Sequence, residues 1–182
     1  MSGSRVSYGP CSMTLFARTL SSPIGSLRLV VRDDGALVRL HLPGDHEPAR
    51  EAEDMRRDRG QCDQVVRELE EYFDGRRCSF ELALAPVGTP FQLAAWNALR
   101  TIPFGETRSY QQQAQRIGRP KAVRAIGAAN GRNPIPIVVP CHRVIGKDGS
   151  LVGFGGGLWC KQWLLQHEAA VLARVTAAGV QA

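Results

Sequence analysis

The chain has 182 residues, 43% of them apolar and 22% charged, and carries a net charge of +6. That is globular composition, enough for one large core or two small ones. No run approaches the roughly 18 unbroken apolar residues of a membrane helix, and the opening "MSGSRVSYGPCSM" lacks the apolar stretch of a secretory signal, so a soluble cytoplasmic protein is expected.

Five cysteines (Cys11, Cys62, Cys78, Cys141, Cys160) make an odd count without a C-x-x-C pair, so reduced thiols are expected. His41, His46 and Cys62 lack zinc-ligand spacing; neither a metal nor another cofactor is expected. Residues 1–87 carry 12 Lys+Arg against 14 Asp+Glu, whereas residues 88–182 carry 11 against 3. The basic second half calls for an anionic partner such as nucleic acid, the bland alternative being a solvated basic face.

In chain order, residues 1–12 read as a disordered tail and residues 13–87 as a small α+β domain. Alternating apolar residues around Ser22-Pro23-Ile24-Gly25 and Asp33-Asp34-Gly35 predict a meander of three strands. Residues 44–61 read as a charged loop. Val65, Val66, Leu69, Tyr72 and Phe73 recur at helical spacing up to Asp74-Gly75, and "CSFELAL" returns to strand alternation. Residues 88–182 read as a second, mostly helical domain. Thr89-Pro90-Phe91-Gln92 and Ser109-Tyr110-Gln111-Gln112 are capping boxes that open helices, the second helix stopping at Gly118 and another starting at Pro120, which together predict a helix-turn-helix. In its second helix, "PKAVRAIGAAN", Arg124 rises from a face of small residues; this suits close approach to a groove, or is simply a solvated arginine on an alanine-rich helix.

"IPIVVPCHRVIGK" at 135–147 carries the chemistry. Pro136 and Pro140 deny the run regular ladder pairing, so an edge strand or irregular extended segment is expected. On extended backbone His142 points away from the sulfur of Cys141 unless the chain turns right after Pro140, so a turn or a water must connect them. Most lone cysteines are inert small hydrophobes, but Arg143, Lys147 and His142 supply a cationic setting that favours thiolate, and a nucleophile is expected. In the C-terminal helix Glu168 interrupts an apolar stripe of Leu164, Leu165, Val171 and Leu172. It either faces inward to hold His142 or sits at the stripe's edge. Trp159 and Trp163 are most simply core, and Gly153, Gly155, Gly156 and Gly157 read as a flexible pocket wall.

"PCHRVIG" at 140–146 resembles the active-site motif of the O6-alkylguanine-DNA alkyltransferases, the methylated-DNA–protein-cysteine methyltransferases. "GETRSYQQQA", "RAIGAANGRNP", "GFGGG" and "KQWLLQHE" resemble that family's flanking blocks in order and spacing, and "SSPIG" at 21–25 resembles a feature of its N-terminal domain. The resemblance implies a ribonuclease-H-like α/β domain followed by a mostly helical domain with a helix-turn-helix. It also implies one-turnover transfer of an alkyl group from O6-alkylguanine, less so O4-alkylthymine, to the protein. Carried over, it makes Cys141 the acceptor, His142 a base acting through water, Glu168 the carboxylate orienting His142, and Asn133 the pin between the cysteine turn and the recognition helix. Tyr110 is implied to donate to the flipped guanine and Arg124 to replace it in the duplex, entered from the minor groove. Pro136, Val144 and the loop backbone around Gly155 are implied as pocket walls. The chain departs from the family at Phe154, commonly tyrosine, and at Cys160, frequently basic; the second adds a thiol near the site. Neither a membrane nor an obligate protein partner is expected. The alternatives are a non-catalytic DNA-damage-binding or regulatory helix-turn-helix module, and a cysteine hydrolase, which nothing in the chain specifically recommends.

Overall fold

A computed structural model of the protein describes residues 14–45, 55–177 and 179. The expected tail at 1–12 lies outside them. Strands β1 (Leu15–Ser22), β2 (Gly25–Arg32) and β3 (Leu37–His41) form the predicted antiparallel meander. Ser22 pairs with Gly25 across a two-residue turn, and Gly25 takes φ +106°, open to glycine at little cost.

Two strand expectations are corrected. Within the stretch read as loop, β4 (Met55–Arg57) pairs parallel with β1, giving the order β3-β2-β1-β4. Three residues are too few to show alternation. Conversely, "CSFELAL" reduces to one bridge, Leu37 to Leu84, flanked by Leu37 N–H to Ala83 O at 2.8 Å and Ala85 N–H to Leu37 O at 2.9 Å.

Helix α1 (Asp63–Phe73) buries Val65, Val66, Leu69 and Tyr72. Helix α2 (Pro90–Leu99) opens on the expected capping box, with Thr89 Oγ1 accepting from Gln92 N–H at 3.3 Å and Gln92 Oε1 from Thr89 N–H at 2.9 Å. The same reciprocal pair, Ser109 with Gln112, opens α3 (Tyr110–Arg116). After Gly118 at φ +69°, α4 runs Val123–Asn130, starting later than the expected Pro120 because residues 119–122 close a separate turn, Ala122 N–H to Arg119 O at 2.8 Å. Ala95, Ala114, Ile126 and Ala129 form the core of this three-helix unit. Small side chains let its helices approach closely. Gln113 and Asn130 exchange amide hydrogen bonds of 3.0 and 2.8 Å inside it.

Residues 135–140 form no strand. They fold into tight turns, Val138 N–H to Pro136 O at 3.0 Å and Cys141 N–H to Val139 O at 2.8 Å, with Ile137 at φ +73°. A β-branched residue in the left-handed region costs of order 1–2 kcal/mol, which burial of the Ile137 side chain offsets. The chain then turns through a 3₁₀ segment, Cys141–Arg143, into β6 (Val144–Ile145), parallel to β5 (Arg108–Ser109). Helix α5 (Gly157–Ala177) closes the molecule. No helix among the described residues is long and apolar enough to cross a membrane. One core runs from Leu27, Leu29 and Leu40 in the sheet through Leu69 to Trp96, Leu99, Val139 and Leu164, so the two halves pack on each other. Trp163 joins its edge, its ring stacked on His167 at 4.9 Å. Trp159, expected in the core, is instead 60% exposed, because it lies across α5 from the buried stripe of Leu164, Glu168 and Val171.

Candidate active site

The turn right after Pro140 decides the site. It holds Cys141, His142 and Arg143 on three successive 3₁₀ positions, so their side chains diverge to three different partners. Cys141 is 8% exposed and borders a cavity of about 520 Å³, whose wall includes Tyr110, Val123, Gly127, Val152, Phe154 and Gly155. Asn133 Nδ2 donates to Val139 O at 2.7 Å and to the Cys141 sulfur at 3.2 Å, while its Oδ1 accepts from Ile135 N–H. It thus ties the chain leaving α4 to the cysteine turn.

Burial raises the Cys141 pKa above its usual value, opposed by the Asn133 hydrogen bond and the charge of Lys161. The resting group is a thiol. The cationic setting expected from Arg143 and Lys147 is therefore corrected: Arg143 is spent on Glu168 and Lys147 is exposed in a turn.

His142 is buried, with Nε2 2.8 Å from Glu168 Oε1. Opposite a carboxylate this nitrogen must donate, which assigns the proton to Nε2 and the lone pair to Nδ1. Nδ1 has no hydrogen-bond partner among the described residues. Burial lowers the His142 pKa against the raising effect of Glu168, leaving a neutral imidazole able to take a proton at Nδ1.

Glu168 is fully buried and faces inward. Its oxygens accept from Tyr72 Oη at 2.9 Å, Gly105 N–H at 2.9 Å, Arg143 Nε at 3.0 Å and Arg143 Nη2 at 2.9 Å, besides His142. Burial works against its charge, but this ring of donors wins and holds its pKa well below the carboxylate range. Arg143 also donates to Ile102 O at 2.7 Å, and Gly105 reaches its position at φ +74°.

Tyr110 projects into the cavity with its hydroxyl 3.0 Å from Val152 O. Phe154 lines the same wall, edge-on to His142 at 6.5 Å. Arg124 lies on the exposed face of α4 beside exposed Ala125 and Ala128, away from buried Ile126 and Asn130. Pro136 and Val144, expected as pocket walls, are buried and do not border the cavity. The turn at Pro140 swings Val144 into its pairing with Arg108, and the turns at 135–140 take Pro136 inward. Cys160, the expected extra thiol near the site, is buried and faces away from the cavity: a Cβ placed on Gly156 would meet its sulfur and Leu42.

Two residues here were not singled out in the sequence. Lys161 is buried, its ammonium donating to Val144 O at 2.7 Å and Val152 O at 2.8 Å and lying 5.9 Å from the Tyr110 ring centre. It is seven residues before Glu168, on the same stripe, and that spacing is the signal for it. Tyr72 comes from α1 and reads only as an apolar member of its helix. No group of three or more His, Cys, Asp or Glu with metal-binding geometry occurs among the described residues.

A buried thiol beside a helix-turn-helix, followed by a buried His–Glu pair, marks the class as a helix-turn-helix protein with a candidate cysteine nucleophile, and sequence comparison narrows it. Residues 15–86 match the family described as "6-O-methylguanine DNA methyltransferase, ribonuclease-like domain", and residues 90–170 match its "DNA binding domain". The chain belongs to the 6-O-methylguanine DNA methyltransferase family. It is 49% identical over 154 residues to the methylated-DNA–protein-cysteine methyltransferase of Mycolicibacterium paratuberculosis, covering 83% of this chain and 90% of that one. It is 55% identical over 105 residues to the one from Methanosarcina barkeri, an alignment of 58% of this chain and 66% of that relative's length. A crystal structure of Mycobacterium tuberculosis OGT in complex with DNA superposes with TM-score 0.80 at 44% identity, covering 86% of this chain and 94% of that one. The α+β half followed by a helical half is the architecture these comparisons share.

Proposed function

We propose that this protein repairs alkylated DNA by direct reversal, Cys141 taking the alkyl group from O6-alkylguanine, and less readily from O4-alkylthymine. It is a methylated-DNA–protein-cysteine methyltransferase that works in the cytoplasm, once per molecule. The observation that carries the reading is the Cys141 thiol bordering a cavity between the helix-turn-helix and the loop 152–155, with the next residue, His142, paired to buried Glu168.

Residues 13–87 form the ribonuclease-like domain and residues 88–182 the DNA-binding and transfer domain. Helix α4 enters the minor groove on its small-residue face, and Arg124 takes the place of the extruded base. Extrusion costs a few kcal/mol, least where pairing is already damaged, as at an alkylated guanine. The flipped base occupies the cavity, where the Tyr110 hydroxyl and the backbone around Gly155 hydrogen-bond to it. Asn133 holds the cysteine turn in register with α4.

The Cys141 proton passes through one water to His142 Nδ1, Glu168 steadying the imidazolium through Nε2. The sulfur attacks the alkyl carbon; the S–C bond forms as the C–O bond breaks, and the electron pair stays on the guanine oxygen. Lys161 and the Asn133 amide stabilise the thiolate, and Tyr110 the departing base. The product is a thioether, which offers water no carbonyl to attack, so the thiol is not regenerated.

Intact mass after incubation with an O6-methylguanine duplex tests this. One added methyl, absent in Cys141→Ala, is expected. Unchanged mass with DNA binding retained would point to the non-catalytic module, and repeated ester turnover to a hydrolase.

A further inference from the structure

We infer that Tyr72, in the N-terminal domain, is a positioning residue of the transfer site, its hydroxyl setting the basicity of the Glu168–His142 pair. The inference rests on the transfer reading above, and the observation behind it is a buried hydrogen bond spanning 96 residues of sequence. Tyr72 Oη lies 2.9 Å from Glu168 Oε1, the same oxygen that accepts from His142 Nε2 at 2.8 Å.

Arg143 Nη2 donates to that oxygen as well, at 2.9 Å, and donors sharing one carboxylate oxygen compete for its charge. The stronger the Tyr72 bond, the less electron density remains for His142, and the less Glu168 raises the basicity of the imidazole. Tyr72 is buried, and its own ionisation is pushed well above the usual phenol value by burial and by Glu168, so the hydroxyl stays a donor. Its ring is fixed by Phe73 at 5.4 Å, Phe80 at 5.4 Å and Phe104 at 6.0 Å, and His167 Nε2 donates to its backbone carbonyl at 2.8 Å. The hydroxyl therefore has one aim. The other groups facing the pair are Arg143 from the 3₁₀ turn, the Gly105 N–H, Lys161 from α5, Cys141, and Cys78 from the segment after α1. All but Tyr72 and Cys78 belong to the C-terminal half, and of those two only Tyr72 bonds to Glu168.

The ribonuclease-like half is thus a component of the proton relay, and transfer requires it docked. Removing the hydroxyl leaves Oε1 to His142 and Arg143, one donor fewer; the imidazole becomes more basic, is protonated at higher pH, and loses the lone pair that accepts the Cys141 proton. The acid limb of the transfer profile must then move to higher pH. Strengthening the phenol as a donor must move it the other way.

The experiment is single-turnover transfer from an O6-methylguanine duplex across pH, together with an NMR titration of His142 in the DNA-free protein. Three proteins are compared: the parent, Tyr72→Phe, and the parent with 3-fluorotyrosine at position 72. Tyr72→Phe should lower the rate on the acid limb roughly three- to tenfold and raise the limb and the His142 midpoint by about half a unit to one unit. The fluorinated side chain keeps the fold and the ring and should shift both downward. DNA affinity should be unchanged in both. Coincident profiles and midpoints in all three proteins overturn the inference, as does a shift of the same sign in both variants. If the parent itself transfers no methyl, the functional reading fails, while the NMR midpoints still decide the role of Tyr72.

Discussion

Replacing Glu168 with glutamine keeps the size of the side chain and removes its charge. Tyr72 Oη, His142 Nε2 and Arg143 Nη2 converge on Oε1 at 2.9, 2.8 and 2.9 Å, and Gly105 N and Arg143 Nε on Oε2 at 2.9 and 3.0 Å. An amide offers one oxygen with two lone pairs, and its NH₂ faces donors. At least two buried donors lose their acceptor and Arg143 loses its counter-charge, a loss of about 3–5 kcal/mol for breaking a buried pair. At roughly 2–4 °C per kcal/mol for a chain of this size, thermal unfolding followed by circular dichroism should move down by about 6–20 °C. The pH dependence has a definite sign. The folded-state pKa of Glu168 is depressed, so its contribution is complete above the unfolded value of 4.5 and is lost as pH falls below it. The melting temperature of the parent should therefore fall towards that of Glu168→Gln on acidification below that value, while the variant lacks this component. Methyl transfer should slow about 100-fold or more, as for loss of an oriented base. A variant that melts within about 2 °C of the parent at neutral pH would refute the claim that this carboxylate is the hub of the site.

Asn133→Ala removes the donor that lowers the Cys141 pKa. The thiol should become still less acidic, and its reaction with iodoacetamide, followed by mass, should slow roughly fivefold at fixed pH and shift to more alkaline conditions. Arg124→Ala should slow repair of duplex DNA roughly tenfold or more while leaving reaction with free O6-methylguanine base unchanged, since only the duplex needs the base held out; equal losses on both substrates would remove Arg124 from that role. Gln113→Leu strands the buried Asn130 amide between α3 and α4. It should cost about 1–3 kcal/mol, read as a melting shift, and weaken DNA binding by loosening the helix-turn-helix.

Elements whose signals are local were legible in the sequence. The three-strand meander, the two capping boxes and the helix ends at Gly75 and Gly118 each follow from a few adjacent residues, because turn chemistry and caps act within one helical turn. The placement of Cys141, His142 and Asn133 close together was foreshadowed by sequence adjacency and by the family motif. The inward face of Glu168 was left open by its stripe alone. It is settled by Tyr72, Arg143 and Gly105, donors that lie between 25 and 96 residues away in sequence.

Short or unpaired extended segments were not legible. β4 exists because β1 offers it an edge, and residues 135–140 are turned against their β-branched propensity because their side chains are buried between the two halves. The acidity of Cys141 also depends on depth. Its sequence neighbours are cationic, yet burial raises its pKa, and the cation that opposes this is Lys161, 20 residues on. Residue type and short-range spacing thus specified the reacting groups, since bonding capacity is a property of each side chain. Which groups are charged, which partner holds each, and that the N-terminal half reaches the site through Tyr72 were decided by the tertiary fold. Desolvation and hydrogen bonding act over a few ångströms of space, whatever the distance along the chain.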